Sequence, residues 1–219
     1  MFFSVSVFGT REPLLRVRVA QEYSLEIRSY PFISGFRHHE SLRRTLWKHG
    51  GLFPMPPITA LLHTMNDALR LGRTLETLLP CAEILIVDHQ SADATLHVAR
   101  EYGARIVAAE ENAVVSDYLD VALYDWIFCV EPGESITEGL QASLFEWAAL
   151  PSYDVVGGLA GGRGFSVRVR EQIRKRWRDL PVPEIRLIPR GWTRWRGRLP
   201  ASEASAIALE GELLRFVLP

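Results

Sequence analysis

The chain has 219 residues, a length that suits one α/β domain with additions and leaves little room for a second full domain. With 47% hydrophobic residues and a mean hydropathy of +0.03, the composition is that of a soluble globular protein. No uninterrupted apolar segment approaches the roughly 20 residues of a membrane-spanning helix, which argues against a helical membrane protein.

The formal net charge is −1, but the charges are unevenly distributed. Residues 163–198 contain 12 Arg and Lys residues against three acidic residues, whereas the rest of the chain has 13 basic and 23 acidic residues. This asymmetry indicates a surface that contacts anions, with a solvated Arg-rich surface as the alternative. Tryptophans lie among these arginines, but no recognition-helix or RNA-platform motif accompanies them, so we expect no nucleic-acid partner.

The two cysteines favour a reducing compartment. Cys81 and Cys129 lie beside or inside predicted strands, and their spacing is not that of a metal site. The first eight residues have no basic segment before their apolar residues, so we do not expect a signal peptide. We therefore predict a cytoplasmic protein.

The first 53 residues differ in pattern from the rest and predict a β-rich N-terminal extension. Residues 2–8, 14–19 and 23–29 are rich in Val, aromatic and alternating residues, as in short antiparallel strands. The segment Pro54-Met55-Pro56-Pro57 is a stiff connector and the best candidate for a boundary.

From Ile58 onward, strand and helix patterns alternate, which defines a second region over residues 54–150. We predict strands at 58–63, 83–87, 104–108 and 125–130, and helices at 67–79, from Ser91 or Asp93 to Tyr102, at 112–124 and at 136–149. Such alternation is typical of a mainly parallel sheet flanked by helices.

A third region, residues 151–219, is rich in Arg and Trp. We predict strands at 153–156, 165–170 and 184–188 and a helical piece around Trp177. The glycine-rich segment 157–164 lacks the Gly-Lys-Ser/Thr ending of a P-loop, so it is a poor candidate for a phosphate site.

Three loops should meet at one edge of the sheet, because the carboxyl ends of parallel strands share an edge: residues 64–67, 88–93 and 131–134. Asp88 follows the buried run Ile84–Val87 and is placed to accept hydrogen bonds from a nucleobase or ribose. An ordinary strand-to-helix turn with a capping Asp is the alternative.

Four segments resemble the family 2 glycosyltransferases of the GT-A (Rossmann-like) fold, and are closest to the bacterial branch that elaborates lipopolysaccharide cores. They are Thr64-Met65-Asn66-Asp67 (Thr-Lys-Asn-Glu in the family), Asp88-His89-Gln90-Ser91-Ala92-Asp93-Ala94-Thr95 (Asp-Ser-Gly-Ser-Thr-Asp-Gly-Thr), Asp125-Trp126-Ile127-Phe128 (Asp-Trp-Ile-Leu) and Glu184–Gly191, which is similar to the family's Arg-Leu-Phe-Arg segment. The resemblance runs from about Ile58 to the C-terminus.

The resemblance implies inverting transfer of a sugar from a nucleoside diphosphate sugar to a glycan or lipid-linked acceptor. By the same resemblance the nucleotide would be bound by residues of the first two loops: Thr64, Asn66, Asp67, Asp88, Ser91 and Asp93.

The family's metal and base residues are altered in this chain. Its Asp-Ala-Asp-Glu motif corresponds to Glu131-Pro132-Gly133-Glu134, in which the metal-binding second Asp is Gly133. Glu131 and Glu134 remain as candidate ligands for Mn²⁺ or Mg²⁺, because hard cations accept any carboxylate. An arginine cluster that neutralises the diphosphate without a metal is the alternative. The family's late His corresponds to Arg215, and Glu203 is the candidate for a substitute base.

Two functions therefore remain open. The first is an active glycosyltransferase, with the basic tract in peripheral contact with anionic lipid at the inner face of the membrane. The second is a catalytically impaired GT-A scaffold that binds a nucleotide or a partner protein.

Overall fold

The computed structural model describes residues 55–149 and 163–217. In the first range, strands and helices alternate: β1 (Ile58–Thr64), α1 (Ala68–Thr77), β2 (Glu83–Asp88), α2 (Thr95–Glu101), β3 (Arg105–Ala108), a 3-10 helix (Val115–Tyr118), β4 (Trp126–Cys129), β5 (Glu134–Ile136) and α3 (Glu138–Ala149). The second range consists of strands: β6 (Phe165–Ile173), β7 (Arg176–Asp179), β8 (Glu184–Pro189), β9 (Trp195–Arg196), β10 (Leu199–Pro200) and β11 (Ile207–Phe216).

Nine of these strands form one mixed sheet in the order β3-β2-β1-β4-β8-β6-β11-β5, with β7 paired to β6. Strands β3, β2, β1 and β4 are parallel, whereas β8 is antiparallel to both β4 and β6, and β11 is parallel to β6. The predicted α/β architecture, a sheet with a parallel half flanked by helices, is therefore confirmed for the described residues.

The central strands are apolar because both faces of the sheet are covered. Every residue of β1 and β2 is buried, which accounts for their continuous hydrophobic runs. One face packs against the helices through residues such as Leu71, Leu75 and Leu144. The other face is covered by the 3-10 helix and the segment after β8, with Tyr118 and Trp192 in its core.

Three predicted elements differ in the structure. The region 112–124 contains a 3-10 helix over Val115–Tyr118 in place of the predicted helix, and the helix predicted from Ile136 begins at Glu138, after the short strand β5. The predicted helix around Trp177 is wrong: β7 pairs with β6 there. Its sequence is rich in helix-forming Arg and Lys, but pairing with the neighbouring strand outweighs that weak local preference.

Helix α3 packs very closely on β11 at Gly211. The φ of Gly211 is +88°, and a Cβ at this position would lie 2.1 Å from the backbone nitrogen of Leu140. A glycine is therefore required for this contact between helix and strand.

Several predictions lie outside the described residues: the N-terminal extension over residues 1–53, the boundary at Pro54, the strand at 153–156 and most of the glycine-rich segment. Within the described ranges, no helix is long and apolar enough to cross a membrane.

Candidate functional site

The three predicted loops meet at the carboxyl edge of the parallel strands. Thr64 and Asp88 are direct register partners at the ends of β1 and β2, and His89 N donates to Thr64 O at 2.8 Å. On the other side of β1, Val130 N donates to Leu61 O at 3.1 Å, which brings the end of β4 to the same edge. The topology thus places the loops that begin at residues 64, 88 and 131 side by side.

The first two loops are hydrogen-bonded to each other through Asn66. Its backbone nitrogen donates to Ser91 Oγ at 3.0 Å, and its side-chain Oδ1 accepts from Ala92 N at 2.8 Å. Asn66 and Gln90 occupy corresponding places in the two loops with φ of 57° and 59°. Left-handed conformations are uncommon outside glycine and cluster at functional sites. Gln90 stands where the similar family motif has Gly, which explains the preference for glycine there.

Asp67 and Asp93 bind the starts of the two helices. Asp93 accepts hydrogen bonds from Ala68 N at 3.1 Å and Thr95 N at 2.9 Å, and its hydrogen bond with the Thr95 hydroxyl is the largest of the effects that lower its pKa. Asp67 accepts from Met65 N at 2.9 Å and pairs with Arg70. Asp93 therefore binds the first backbone N–H of both helices, as a capping Asp does, whereas Asp67 makes no side-chain capping bond and holds the first loop in shape.

Asp88 lies at the centre of this edge and is 7% exposed. Its carboxylate accepts from Ser91 N at 3.0 Å and from the Thr64 hydroxyl at 3.3 Å. Because a carboxylate has about four acceptor positions, two hydrogen bonds leave capacity for a ligand donor. Asp88 thus stabilises the turn after β2 and still has an oxygen that can accept a hydrogen bond from a nucleobase or ribose.

A histidine pair beside Asp88 was not predicted from the sequence. His63 Nδ1 lies 3.0 Å from His89 Nε2, and the His63 ring packs edge-on against Tyr118. Burial, His89 and Arg198 lower the pKa of His63 to about 4. Burial and Arg198 also lower the pKa of His89. The pair is therefore uncharged at neutral pH.

The third loop has no side chain where the similar family has its metal-binding aspartate. Gly133 has a φ of +93°, and a Cβ there would lie 3.4 Å from Phe216 O and 3.5 Å from Arg70 Cδ. Its backbone nitrogen donates to Thr74 Oγ1 at 2.9 Å. The contacts leave room for a Cβ, but the positive φ favours glycine, and an aspartate would be strained on this backbone.

Glu134 belongs to a buried ion network. Its side chain is 1% exposed, and Arg186, which is fully buried, donates to both of its oxygens at 2.9 and 2.8 Å. Arg215 donates to the same carboxylate at 3.0 Å and also contacts Glu171 and Glu184 at 2.9 and 3.0 Å. Glu134 therefore binds two guanidinium groups of the sheet, whereas the sequence predicts a metal ligand at this position.

Glu131 is the more accessible carboxylate of the predicted pair, with 44% of its side chain exposed. Its Oε2 lies 3.7 Å from Arg215 Nη2. Burial, followed by the charge of Glu134, raises the pKa of Glu131. A raised pKa at a strand end suits a group that accepts a proton.

Glu203 is engaged by its own segment. Its carboxylate pairs with Arg194 and accepts a hydrogen bond from Ser205, and only 11% of its side chain is exposed. These contacts favour a structural role that holds the segment between β10 and β11, in place of the predicted base.

The residues at the third loop do not fit a dedicated metal centre. Gly133 offers no side-chain oxygen, and both oxygens of Glu134 are bound by arginines. Throughout residues 55–149 and 163–217, no group of three or more His, Cys, Asp or Glu side chains could hold a metal ion.

Comparison with known proteins gives relatives for part of the chain. No family model matches the sequence. An uncharacterized glycosyltransferase of Rickettsia prowazekii is 24% identical over 91 residues, which are 40% of this chain and 31% of the relative. One from Rickettsia felis is 26% identical over 91 residues, or 40% of this chain and 32% of that protein. The chain thus spans about a third of the length of the curated relatives it matches.

Solved structures give weaker likenesses. Glucosyl-3-phosphoglycerate synthase from Mycobacterium tuberculosis, in complex with Mn²⁺, UDP and glucosyl-3-phosphoglycerate, is 17% identical with a TM-score of 0.35, over 64% of this chain and 50% of that chain. S. aureus TarS is 14% identical with a TM-score of 0.33, over 53% of this chain and 21% of that chain. TM-scores of this size do not establish shared chemistry. At the level of the curated relatives, the resemblance that the motifs predict is confirmed: this chain is similar to bacterial proteins named as glycosyltransferases.

Proposed function

We propose that this chain binds a nucleoside diphosphate sugar at the edge formed by the ends of β1, β2 and β4, and transfers the sugar to a glycan or lipid-linked acceptor with inversion. The observation that supports this most is the position of Asp88. It is a largely buried carboxylate with unused acceptor capacity, at the meeting point of two loops that each have one residue in a left-handed conformation. Asp88 accepts hydrogen bonds from the base or ribose, and the loop held by Asn66 and Ser91 provides the surrounding wall.

The donor-binding step is tested by a thermal-shift panel of nucleoside diphosphates, with and without Mn²⁺. A ligand at 100 times its Kd stabilises the folded state by about 2.7 kcal/mol, so binding raises Tm. We expect at least one diphosphate to raise Tm, and Asp88→Asn to remove the increase, because an amide presents one acceptor oxygen where the carboxylate presents two. A panel that leaves Tm unchanged would contradict the proposal.

In the transfer step, Glu131 is the proposed base. The acceptor hydroxyl attacks the anomeric carbon, the bond from that carbon to the diphosphate breaks, and the hydroxyl proton passes to the Glu131 carboxylate. The raised pKa and partial exposure of Glu131 support this role. Positive charge for the departing diphosphate comes from an arginine outside the buried ion network, such as the exposed Arg198, because the third loop does not suit a metal and Arg186 and Arg215 are already paired with carboxylates.

Glu131→Gln separates a base from a metal ligand. If Glu131 is the base, the variant loses turnover by about 100-fold or more while diphosphate affinity is unchanged. If Glu131 instead holds a cation, the variant weakens diphosphate binding in Mn²⁺ and not in its absence. That second pattern would overturn the assignment of the base.

A catalytically impaired scaffold is the second candidate. It is favoured by Gly133 and by the engagement of Glu134 with Arg186 and Arg215, which together remove the metal site of the similar family. Such a protein would bind a nucleotide but show no hydrolysis or transfer across a panel of sugar donors. Glu131→Gln would then leave its binding properties unchanged.

The hairpin formed by β6 and β7 is the proposed membrane contact of an enzyme that acts on lipid-linked acceptors. Its turn is Arg174-Lys175, and the exposed β7 adds Arg176 and Arg178. Trp177 between them is 39% exposed. Each basic side chain near an anionic bilayer contributes about 1 kcal/mol, and a tryptophan suits the interface.

Liposome flotation tests this contact. We expect the chain to float with vesicles that contain anionic lipid and not with neutral ones, and Arg176→Glu with Arg178→Glu to reduce flotation. Arg163→Glu is a matched control, because it is also exposed in the basic region but lies outside the hairpin. Equal flotation with both vesicle types would contradict the proposal.

A further inference from the structure

A second small sheet carries an exposed arginine on a tight turn. Strands β9 and β10 pair antiparallel with Arg196 opposite Leu199, so Gly197 and Arg198 form a two-residue turn. Gly197 has a φ of +62°, as such turns require. Arg198 is exposed and has no hydrogen-bond or ion-pair partner among the described residues.

This hairpin covers the sheet face onto which the histidine pair points. Trp195 and Leu199 pack against the cluster that contains Leu61 and Val87. Side chains alternate along a strand, so His63 and His89 follow Leu61 and Val87 on the same face, at the open end of β1 and β2. The His63 ring packs against Tyr118, a member of the same cluster, so the turn that carries Arg198 lies on the same side of the sheet as the histidine pair. In agreement with this position, Arg198 adds to the effect of burial in lowering the pKa of both histidines.

The contact between the two histidines determines which nitrogen of His89 is free. His63 Nε2 is buried and has no hydrogen-bond partner among the described residues, and a buried N–H without a partner is costly. His63 therefore carries its hydrogen on Nδ1 and donates it to His89 Nε2. His89 then carries its own hydrogen on Nδ1, which is left as a donor beside the Arg198 turn.

We propose that Arg198 and the Nδ1–H of His89 form a phosphate-binding subsite beside Asp88, with His63 as the residue that positions His89. A guanidinium and a neutral N–H donor match a phosphate oxygen, and neither is hydrogen-bonded to a carboxylate among the described residues. Burial and Arg198 lower the pKa of His89, and the charge of Asp88 opposes them by raising it. This inference rests on the proposed function in that the phosphate belongs either to the diphosphate of the donor or to a phosphorylated acceptor.

The test measures binding by calorimetry for four ligands: inorganic pyrophosphate, the nucleoside diphosphate selected by the thermal-shift panel, the matching nucleoside, and glycerol phosphate. Arg198→Ala is compared with Arg196→Ala, which removes an exposed arginine from the same hairpin. We expect Arg198→Ala to weaken pyrophosphate binding about 10- to 100-fold, as for loss of a charge-assisted hydrogen bond, and Arg196→Ala to leave it unchanged. His89→Ala should weaken it in the same direction.

The measurements with the nucleoside diphosphate, the nucleoside and glycerol phosphate identify the source of the phosphate. If it is the donor diphosphate, Arg198→Ala weakens nucleoside diphosphate binding and leaves nucleoside binding intact. If it is an acceptor phosphate, the variant leaves both intact and weakens glycerol phosphate binding measured with the diphosphate already bound.

Two results would overturn the subsite: unchanged pyrophosphate and glycerol phosphate affinities in Arg198→Ala, or an equal loss in Arg196→Ala. A wild-type chain that binds pyrophosphate through Arg198 but binds no nucleoside diphosphate would instead refute the proposed function and leave the subsite standing.

Discussion

The buried histidine at the end of β1 predicts an acid-sensitive fold. The pKa of His63 is about 4 in the folded chain, against 6.5 without the burial and the neighbouring charges. The unfolded chain therefore binds more protons than the folded chain between these values, so stability is lost as the pH falls from 6.5 toward 4. At 1.36 kcal/mol per pKa unit, the loss between about pH 7.5 and about pH 5 is about 2 kcal/mol.

Urea denaturation of the wild type and His63→Gln across this range measures the effect. We expect the wild type to lose about 2 kcal/mol more unfolding free energy than the variant between about pH 7.5 and about pH 5. The comparison is between the pH-dependent changes in unfolding free energy of the two proteins, because the substitution also changes the stability at about pH 7.5. His97→Gln is the control, because His97 is exposed on α2. If His63→Gln and the wild type follow the same pH dependence, the account of a buried neutral imidazole is refuted.

Two further predictions concern the third loop and the ion network beneath it. Arg186→Met leaves the buried carboxylate of Glu134 with one arginine, Arg215, and the backbone N–H of Glu131, and should lower the free energy of unfolding by about 3 kcal/mol. The double variant with Glu134→Met should recover part of this loss, and an additive loss in urea denaturation would argue against coupling. Gly133→Ala should lower the free energy of unfolding by about 1–2 kcal/mol, because Gly133 has a positive φ. Gly191→Ala is the control and should lower it little, because a Cβ at Gly191 would have no atom within 4 Å. Equal losses in the two variants would show that the backbone of the third loop adapts.

The parallel half of the fold was predictable because its information is local. The strands at 58–63 and 83–87 each extend one residue further in the structure, to Thr64 and Asp88. Both are continuous apolar runs bounded by polar turns, so length and composition are sufficient to define them. Because the two strands are parallel, their carboxyl ends lie at the same edge of the sheet, so the loops that begin at residues 64 and 88 must be neighbours.

The contacts of the ion network could not be predicted from the sequence, because its residues are far apart along the chain. Arg186 and Arg215 lie 52 and 81 positions from Glu134, and no local pattern indicates that strands β8, β5 and β11 bring them together. Without this knowledge, Glu134 resembles an open metal ligand.

The histidine pair could have been found. Thr64 and Asp88 are register partners in a parallel pair of strands. His63 directly precedes Thr64, and His89 directly follows Asp88. With a side-chain period of two, both imidazoles must point to the same face.

The position of β11 has a consequence for synthesis of the chain. This strand lies between β6 and β5, and within the described residues β5 pairs with β11. On the ribosome, Glu134 and α3 therefore emerge long before Ile207–Phe216, the segment that supplies Arg215 and the surface on which α3 packs. A nascent chain that ends before residue 207 presents an unpaired strand and a buried-type carboxylate to solvent, which makes it a substrate for chaperones. We expect this region to gain protease resistance in one late step, when residues 207–216 have left the exit tunnel.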